Sequence, residues 1–334
     1  MAYWAKTYGP GKAKAVAVDR RGDIIVIGEI EGDGFVARLD KDGNVKWFKT
    51  YGGDKHDSFN DVKIAPDGDI IVVGYTDSFG VGDRNVWVLR LDENGNIKWQ
   101  KTYGGSAKDL ANAVAITENG DIIIAGWTTS FGAGDHDFWV LRLDTNGNIK
   151  WQKTYGGSAN DKAWTVAVAE NGDVIVVGST WSFGAGRDDV WVLRLDENGN
   201  IKWQKTYGES SSDGADTVAI TENGDIIVAG WTASFGAGGY DVWILRLDEN
   251  GNVKWQKAYG GHRWDVASAV AVAENGDIIV VGYTDSFGVG DRNVWVLRLD
   301  ENGNIKWQKT YGGSAKDLAN AVAITENGDI IIAG

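Results

Sequence analysis

The sequence predicts an all-β protein, a β-propeller of four-stranded antiparallel blades, and three observations support this fold class. A twelve-residue motif, seen at 94–105 as Asn-Gly-Asn-Ile-Lys-Trp-Gln-Lys-Thr-Tyr-Gly-Gly, returns with a period of 52 residues. A fixed period of this size is typical of propellers and other repeat arrays. Short β-branched and aromatic runs alternate with turn signals, and helical periodicity is absent. The tryptophan of the motif falls at Trp47, Trp99, Trp151, Trp203, Trp255 and Trp307, and a shorter first repeat begins at Trp4.

The repeat also predicts the domain organisation. A chain of 334 residues would suggest about two domains from its length alone. Repeated units pack on their neighbours and form one continuous body. We therefore expect a single propeller domain over residues 1–334.

One repeat, residues 104–155, contains four candidate strands at 113–116, 121–126, 138–144 and 149–155. Asn119-Gly120 and Asn146-Gly147 separate them in pairs and predict two hairpins with type I′ turns. The second strand is apolar on both faces, so we expect it to be buried. The fourth alternates polar and aromatic residues and predicts a half-exposed outer edge, where its lysines discourage edge-to-edge aggregation.

The number of blades follows from counting these strands. The inner hairpin and the fourth-strand motif each occur seven times, whereas the third strand occurs six times. We expect seven blades, the last incomplete and closed by residues 3–8 beside residues 320–334. The amino-terminal strand would lie in the fourth place or one place further in. The alternative is a six-bladed ring with a spare half-blade, exchanged with another molecule.

Composition excludes several classes of function. The net charge is −14, from 33 basic and 47 acidic residues, which argues against nucleic acid and anionic membrane surfaces as partners. The chain has no cysteine, so disulfides, thiolate nucleophiles and cysteine-based zinc sites are impossible. No apolar run is long enough to span a membrane. The first residues enter the repeat directly, so we expect no signal peptide, and localisation stays open.

The motifs Trp-Gln-Lys-Thr-Tyr-Gly-Gly, Ser-Phe-Gly-Ala-Gly and Trp-Val-Leu-Arg-Leu-Asp-Glu-Asn-Gly-Asn resemble a family of largely uncharacterised prokaryotic propeller repeats over nearly the whole chain. A looser resemblance to quinoprotein-type blades implies the fold but does not imply a cofactor. Neither resemblance implies a catalytic residue. Residues 68–126 and 276–334 are identical, which indicates recent duplication of blades or laboratory assembly from existing ones.

The longer connections of each repeat carry almost all of the sequence variation, so we expect any site on the face that they form or in the central channel. An aspartate precedes the first strand in six repeats: Asp57, Asp109, Asp161, Asp213, Asp265 and Asp317. These carboxylates are candidate ligands of a calcium ion at the channel mouth. The other interpretation is that each accepts hydrogen bonds from backbone N–H groups of its own turn.

Aromatic and basic residues that occur in one repeat only are the candidate ligand-binding residues: Trp164, Trp181, His262, Arg263 and Trp264. Exposed tryptophan and arginine are enriched in recognition sites. Tyr75, Trp127, Trp231 and Tyr283 share one register, and for them packing between blades is the alternative. Recurrent arginines in the third strand, such as Arg90, indicate a structural ion pair in each blade.

Catalysis finds little support in the sequence. The three histidines belong to different blades, and no nucleophile elbow, phosphate loop or histidine–glutamate motif occurs. We expect a non-catalytic binding or structural scaffold that presents its long-loop face to a protein or glycan, with no cofactor other than a possible calcium ion. The alternatives are an amplified or engineered repeat protein without a selected function, and an enzyme with a polar or metal site at the channel mouth.

Overall fold

The computed structural model describes residues 4–334, which form six four-stranded antiparallel sheets and one two-stranded sheet. Within each sheet the strands follow one another in chain order, so every sheet is a meander. The predicted propeller of four-stranded antiparallel blades is therefore confirmed. In the described part of the chain no helix is both long and apolar enough to cross a membrane.

The strands are numbered β1 to β26 along the chain, and the sheets are called blades one to six and the seventh unit. The first, innermost strands are β1 (Lys12–Val18), β5 (Asp57–Ile64), β9 (Asp109–Ile116), β13 (Asp161–Val168), β17 (Asp213–Ile220), β21 (Asp265–Val272) and β25 (Ala321–Ile324). The second strands are β2 (Ile24–Ile30), β6 (Ile70–Thr76), β10 (Ile122–Thr128), β14 (Val174–Thr180), β18 (Ile226–Thr232), β22 (Ile278–Thr284) and β26 (Ile330–Ala333).

The two outer strands exist in blades one to six. The third strands are β3 (Asp33–Leu39), β7 (Asn85–Leu91), β11 (Asp137–Leu143), β15 (Asp189–Leu195), β19 (Asp241–Leu247) and β23 (Asn293–Leu299). The fourth strands are β4 (Val45–Tyr51), β8 (Ile97–Tyr103), β12 (Ile149–Tyr155), β16 (Ile201–Tyr207), β20 (Val253–Tyr259) and β24 (Ile305–Tyr311).

The ring closes through the two-stranded seventh unit. Each innermost strand contacts the next around the axis, and β25 contacts both β21 and β1. The expectation of seven blades is not confirmed, because six blades are complete and the seventh unit pairs β25 with β26 alone. The two-stranded unit packs between blades six and one of its own chain, so it is part of the ring and is not exchanged with another molecule in this structure. Residues 4–8 form no strand, and Tyr3 lies outside the described residues.

The hairpin turns differ from the predicted type I′ geometry. The amide of Gly120 donates a hydrogen bond to the carbonyl of Thr117 at 2.9 Å, and the amide of Thr117 donates to the carbonyl of Asp121 at 3.0 Å. Gly120 has a φ of +83°, whereas Asn119 keeps a negative φ. This is a type I turn followed by a glycine in the left-handed region. Only the glycine of the pair therefore needs the positive φ.

Burial follows the expected order of the strands. All seven residues of β11 are buried, as are six of the seven in β10, whereas in β12 only Tyr155 is buried and the other six residues are exposed or half-buried. Tryptophans of one blade fill the interface with the next, as Trp191 does against Phe138. The core is therefore a series of clusters between blades.

In each complete blade an ion pair joins an arginine of the third strand to the aspartate before the second strand, and this pair is buried in blades one to five and partly exposed in blade six. Arg142 Nε lies 2.8 Å from Asp121 Oδ2, and Arg142 Nη1 donates to the carbonyl of Glu197 in the turn of the next blade at 2.8 Å. The recurrent arginines therefore have a definite partner, which is the aspartate immediately before the second strand.

Candidate functional site

The long connections lie at the end of the blades opposite to the hairpin turns, because every blade is an antiparallel meander. The glycine-rich loop of one blade packs on the segment that leads into the next blade, as shown by the bridges of Arg84 with Lys108 and of His136 with Asn160. This loop face surrounds one mouth of the central channel.

One position at the bulge of the first strand faces the channel, and its side chains form a ring. The register shift beside it recurs in the first strands of blades one to six. The ring consists of Lys14, Asn60, Asn112, Trp164, Asp216, Ser268 and Asn320, which line a channel cavity of about 460 Å³.

Asparagine at this position links neighbouring blades. Asn60 Nδ2 donates to the carbonyl of Ala111 at 2.8 Å, and Asn112 Nδ2 donates to the carbonyl of Ala163 at 2.7 Å. Asn320 makes the same bond to Ala13 at 2.8 Å. Blades two and three and the seventh unit therefore use the ring for structure.

Blades one, four, five and six depart from this pattern, with Lys14, Trp164, Asp216 and Ser268 in the ring. Trp164 Nε1 donates to Ser179 Oγ in its own blade at 3.3 Å. Ser179 occupies the register that holds Tyr75, Trp127, Trp231 and Tyr283 in other blades. In blade four the aromatic group has thus moved from the second strand to the first, which places the indole at the channel.

Trp181 lines the same cleft as Trp164, and its side chain is 55% exposed. Its Nε1 donates to Asp188 Oδ1 across the glycine-rich loop. The equivalent pair in blade two is an ion pair of Asp77 with Arg84, at 2.7 Å. Blade four keeps the contact between these two loop positions and exchanges the ion pair for an indole and a carboxylate.

Trp231 of blade five forms the other wall. A Cβ atom on Gly214 would lie 2.6 Å from two carbons of the Trp231 ring, so the indole lies directly over this glycine. Together these residues enclose a cleft of about 250 Å³ between blades four and five. Its walls are Asn160, Lys162, Trp164, Ser179, Trp181, Asp188, Gly214, Ala215, Asp216 and Trp231.

Asp216 lines both the cleft and the channel. Burial raises the pKa of its carboxyl to about 7, because removal from water disfavours the charged form. The group is half-buried and has no hydrogen-bond partner among the described residues. It therefore changes charge near neutral pH with its oxygens free to bind a ligand.

The second group of candidate residues joins the same surface. Trp264 is 50% exposed and packs against Tyr240 with ring centroids 5.3 Å apart, and Tyr240 packs against Trp231 at 4.5 Å. His262 and Arg263 are exposed beside Trp264. The five predicted ligand-binding residues thus lie along one aromatic surface that runs from blade four to the segment entering blade six.

The aspartates predicted as calcium ligands lie within their own blades. The first five are fully buried, whereas Asp317 is half-buried. Asp109 Oδ2 accepts hydrogen bonds from the amide of Gly105 at 2.7 Å and from Ser130 Oγ at 2.7 Å. The amide bond from four residues earlier recurs at Asp57, Asp109, Asp161, Asp213, Asp265 and Asp317.

Hydrogen bonds from backbone N–H groups of the same turn are what the second interpretation of these aspartates predicts. Within residues 4–334, no group of three or more histidine, cysteine, aspartate or glutamate side chains is placed to hold a metal ion. Both interpretations of these aspartates, as calcium ligands and as acceptors within their own turns, stay predictions.

Seven of the ten cleft residues escaped sequence reasoning, and Asp216, Ser179 and Gly214 are three of them. The signal was present, because each differs from its counterparts in neighbouring repeats. Gly214, for example, stands where blades three, four and six carry Leu110, Lys162 and Val266. A comparison of every position across the repeats, without favouring aromatic residues, would have found all three.

Comparison with known proteins agrees with the fold. Residues 117–149 and 221–253 match the family model described as "Domain of unknown function (DUF5122) beta-propeller". The regulatory protein FlaEY of Caulobacter vibrioides is 27% identical over 174 residues, which is 45% of this chain and 18% of that protein. The chain thus spans less than a fifth of the length of this relative.

Solved structures with similar folds have diverse descriptions. Virginiamycin B lyase from Staphylococcus aureus superposes with a TM-score of 0.64 at 14% identity, over 96% of this chain and 91% of that chain. The WD40 domain of Neurospora crassa Pan2 gives 0.60 at 15% identity, over 97% and 86%. A protein of unknown function from Bacteroides caccae gives 0.54 at 14% identity, over 89% and 96%. At these identities the likeness concerns the fold alone.

Proposed function

We propose that the protein is a non-catalytic binding scaffold that holds a glycan in the cleft between blades four and five. The observation that carries the proposal is the composition of this cleft, in which Trp164, Trp181 and Trp231 stand beside Asp216 and Lys162. Flat indole faces pack against the apolar faces of sugar rings, and neighbouring carboxylate and ammonium groups hydrogen-bond the hydroxyls.

The position of the cleft also supports selection for binding. Blades that use asparagine in the ring gain a bond between blades, and this bond is absent at Trp164 and Asp216. The identical blocks 68–126 and 276–334 lie outside the cleft. Amplification without a selected function does not account for the adjacent departures at Trp164 and Asp216, which remove a bond between blades.

A glycan array probed with the labelled protein tests the proposal, followed by calorimetric titration of the oligosaccharide it selects. We expect Trp181→Ala to weaken binding at least tenfold. Val289→Ser is the matched control, because Val289 is 74% exposed on the loop face of blade six. Absence of glycan binding, or equal losses in both variants, would contradict the proposal.

An enzyme is the second candidate, and one observation favours it. The ring gathers unlike side chains at the mouth, and Asp216 has a pKa near neutrality, as a general acid or base requires. One of the solved structures with a similar fold is a lyase. At 14% identity a shared fold is no evidence for a shared reaction. Mass spectrometry of the bound oligosaccharide after long incubation distinguishes the two, since a binding scaffold returns it unchanged.

A further inference from the structure

Two of the three indoles in the cleft between blades four and five already have hydrogen-bond partners. Trp164 Nε1 donates to Ser179 Oγ at 3.3 Å, and Trp181 Nε1 donates to Asp188 Oδ1. Because an indole has only one N–H donor, both rings have used theirs within blade four. A ligand in the cleft therefore contacts the faces of these rings and not their N–H groups.

Asp216 is a carboxylate of the same cleft that no side chain or amide of residues 4–334 binds. Its counterparts Asn60 and Asn112 donate to carbonyl groups of the next blade at 2.8 and 2.7 Å. An ionised aspartate has acceptors but no donor, so it cannot make this bond between blades. Both carboxylate oxygens of Asp216 are therefore available to a ligand that brings hydrogen-bond donors.

The basic side chains near the cleft do not neutralise this carboxylate. Lys162 Nζ lies over the Trp127 ring of blade three, 5.5 Å from its centroid, and Arg187 is exposed in the glycine-rich loop of blade four. Burial raises the pKa of Asp216 to about 7, and no basic group of the described residues lowers it. The cleft therefore combines aromatic faces with a carboxylate that has no cation of the described chain as its partner.

This combination is complementary to an organic ammonium ion. A cation over the face of an aromatic ring is attracted by the negative face of the ring, and tryptophan is the strongest of the aromatic partners. An ammonium group also donates charge-assisted hydrogen bonds to a carboxylate, and these are stronger than the bonds of a neutral hydroxyl. The net charge of −14 favours the approach of a cationic ligand as well.

We propose that the glycan held in this cleft carries a protonated amine, as a sugar with a free amino group does, and that its ammonium group binds between the indole faces and the carboxylate of Asp216. This inference rests on the proposed glycan binding and adds the class of sugar that is selected. The same sugar with a hydroxyl group in place of the amine has neither the charge nor the ammonium donors, so it should bind more weakly.

A glycan array of matched pairs tests the proposal. The two members of a pair carry an amino or a hydroxyl group at the same carbon of one sugar, so they differ in charge and hardly in size. At neutral pH we expect the amino member to bind at least tenfold more tightly in the pair that the protein selects, as measured by calorimetric titration. Asp216→Asn should abolish this preference. Asp291→Asn is the matched control, because it removes the same charge at an exposed position of the loop in blade six, and it should keep the preference.

The inference and the proposed function fail in different ways. Equal affinity for both members of the selected pair would leave glycan binding in place and overturn the selection of an amine. No binding to any pair would contradict glycan binding itself, and this inference with it. A preference that persists in Asp216→Asn, or that Asp291→Asn loses to the same extent, would assign it to the overall negative charge and overturn the role of the cleft. Thermal unfolding of both variants verifies that they fold.

Discussion

Trp164 Nε1 donates a hydrogen bond to Ser179 Oγ at 3.3 Å, joining the first and second strands of blade four. The large residue stands where blades two and three carry asparagine, and the small one where blades two, three, five and six carry an aromatic ring. The two departures from the repeat therefore compensate for each other in volume and bring an indole to the channel without disturbing the blade.

Trp164→Asn introduces the residue that blades two and three carry at this position. We expect it to weaken glycan binding while leaving the free energy of unfolding nearly unchanged. The amide can donate to the carbonyl of Ala215, as Asn112 donates to Ala163, and such a bond stabilises by about 1 kcal/mol. Lost indole contacts offset this, so we expect unfolding free energy within about 1 kcal/mol of the parent. Glycan affinity should fall at least tenfold. Unchanged affinity by calorimetry would remove Trp164 from the site.

Asp216→Asn should change how stability depends on pH. The pKa of Asp216 is about 7 in the folded protein, above the ordinary value of about 3.9 for an unfolded chain. Its contribution to stability is complete below about pH 4 and is lost as pH rises to about 7. Over this interval the free energy of unfolding of the variant should rise relative to that of the parent by about 1–2 kcal/mol. This is less than the full shift in pKa would give, because water in the channel reduces the cost of the buried charge. Urea unfolding at several pH values measures the difference, and a constant difference would contradict the assignment.

Gly214→Val should close the cleft. The new side chain would meet the Trp231 ring, which lies 2.6 Å from the position of a Cβ atom. Overpacking of this kind costs about 1–3 kcal/mol, and the displaced indole should abolish glycan binding. Adding Trp231→Ser should recover stability without recovering affinity. If the double variant binds like the parent, the cleft is not the site.

Arg194→Met tests the buried ion pair in a complete blade. Removing the arginine leaves Asp173 with Lys202, at 2.8 Å, as its remaining cationic partner. We expect a loss of about 3 kcal/mol in unfolding free energy. Arg298→Met is the matched control, since this more exposed arginine should cost about 1 kcal/mol. Equal losses in denaturant unfolding would show that burial does not set the energy of the pair.

Calcium should not stabilise the protein selectively. At Asp109 one oxygen already accepts hydrogen bonds from Gly105 and Ser130. A calcium site saturated at 100 times its dissociation constant would add about 2.7 kcal/mol. Thermal unfolding in calcium, in magnesium and in chelator measures this directly. A saturable, calcium-selective rise in melting temperature would establish the aspartates as a metal site.

The sequence anticipated most of the blade and part of the candidate site. The four strands of residues 104–155 were predicted within a few residues, because each is short, apolar in a definite pattern and bounded by glycine. The turn type was predicted wrongly, since Asn-Gly is compatible with both a type I′ turn and a type I turn with a following glycine. Trp164 and Trp181 were singled out as unlike their counterparts. Asp216 also differs from its counterparts Trp164 and Ser268 and was missed because only aromatic and basic variations were considered.

Repetition alone determined the all-β propeller and its buried second strands, because identical units must bury identical faces against each other. Tertiary structure decided what repetition does not specify. It placed the half-blade between blades six and one, set Trp4 and Tyr8 against the turn of blade one, and brought Trp164, Asp216 and Trp231 around one cleft. These features depend on which blades become neighbours and on how far each side chain reaches across the gap, and both are properties of the closed ring.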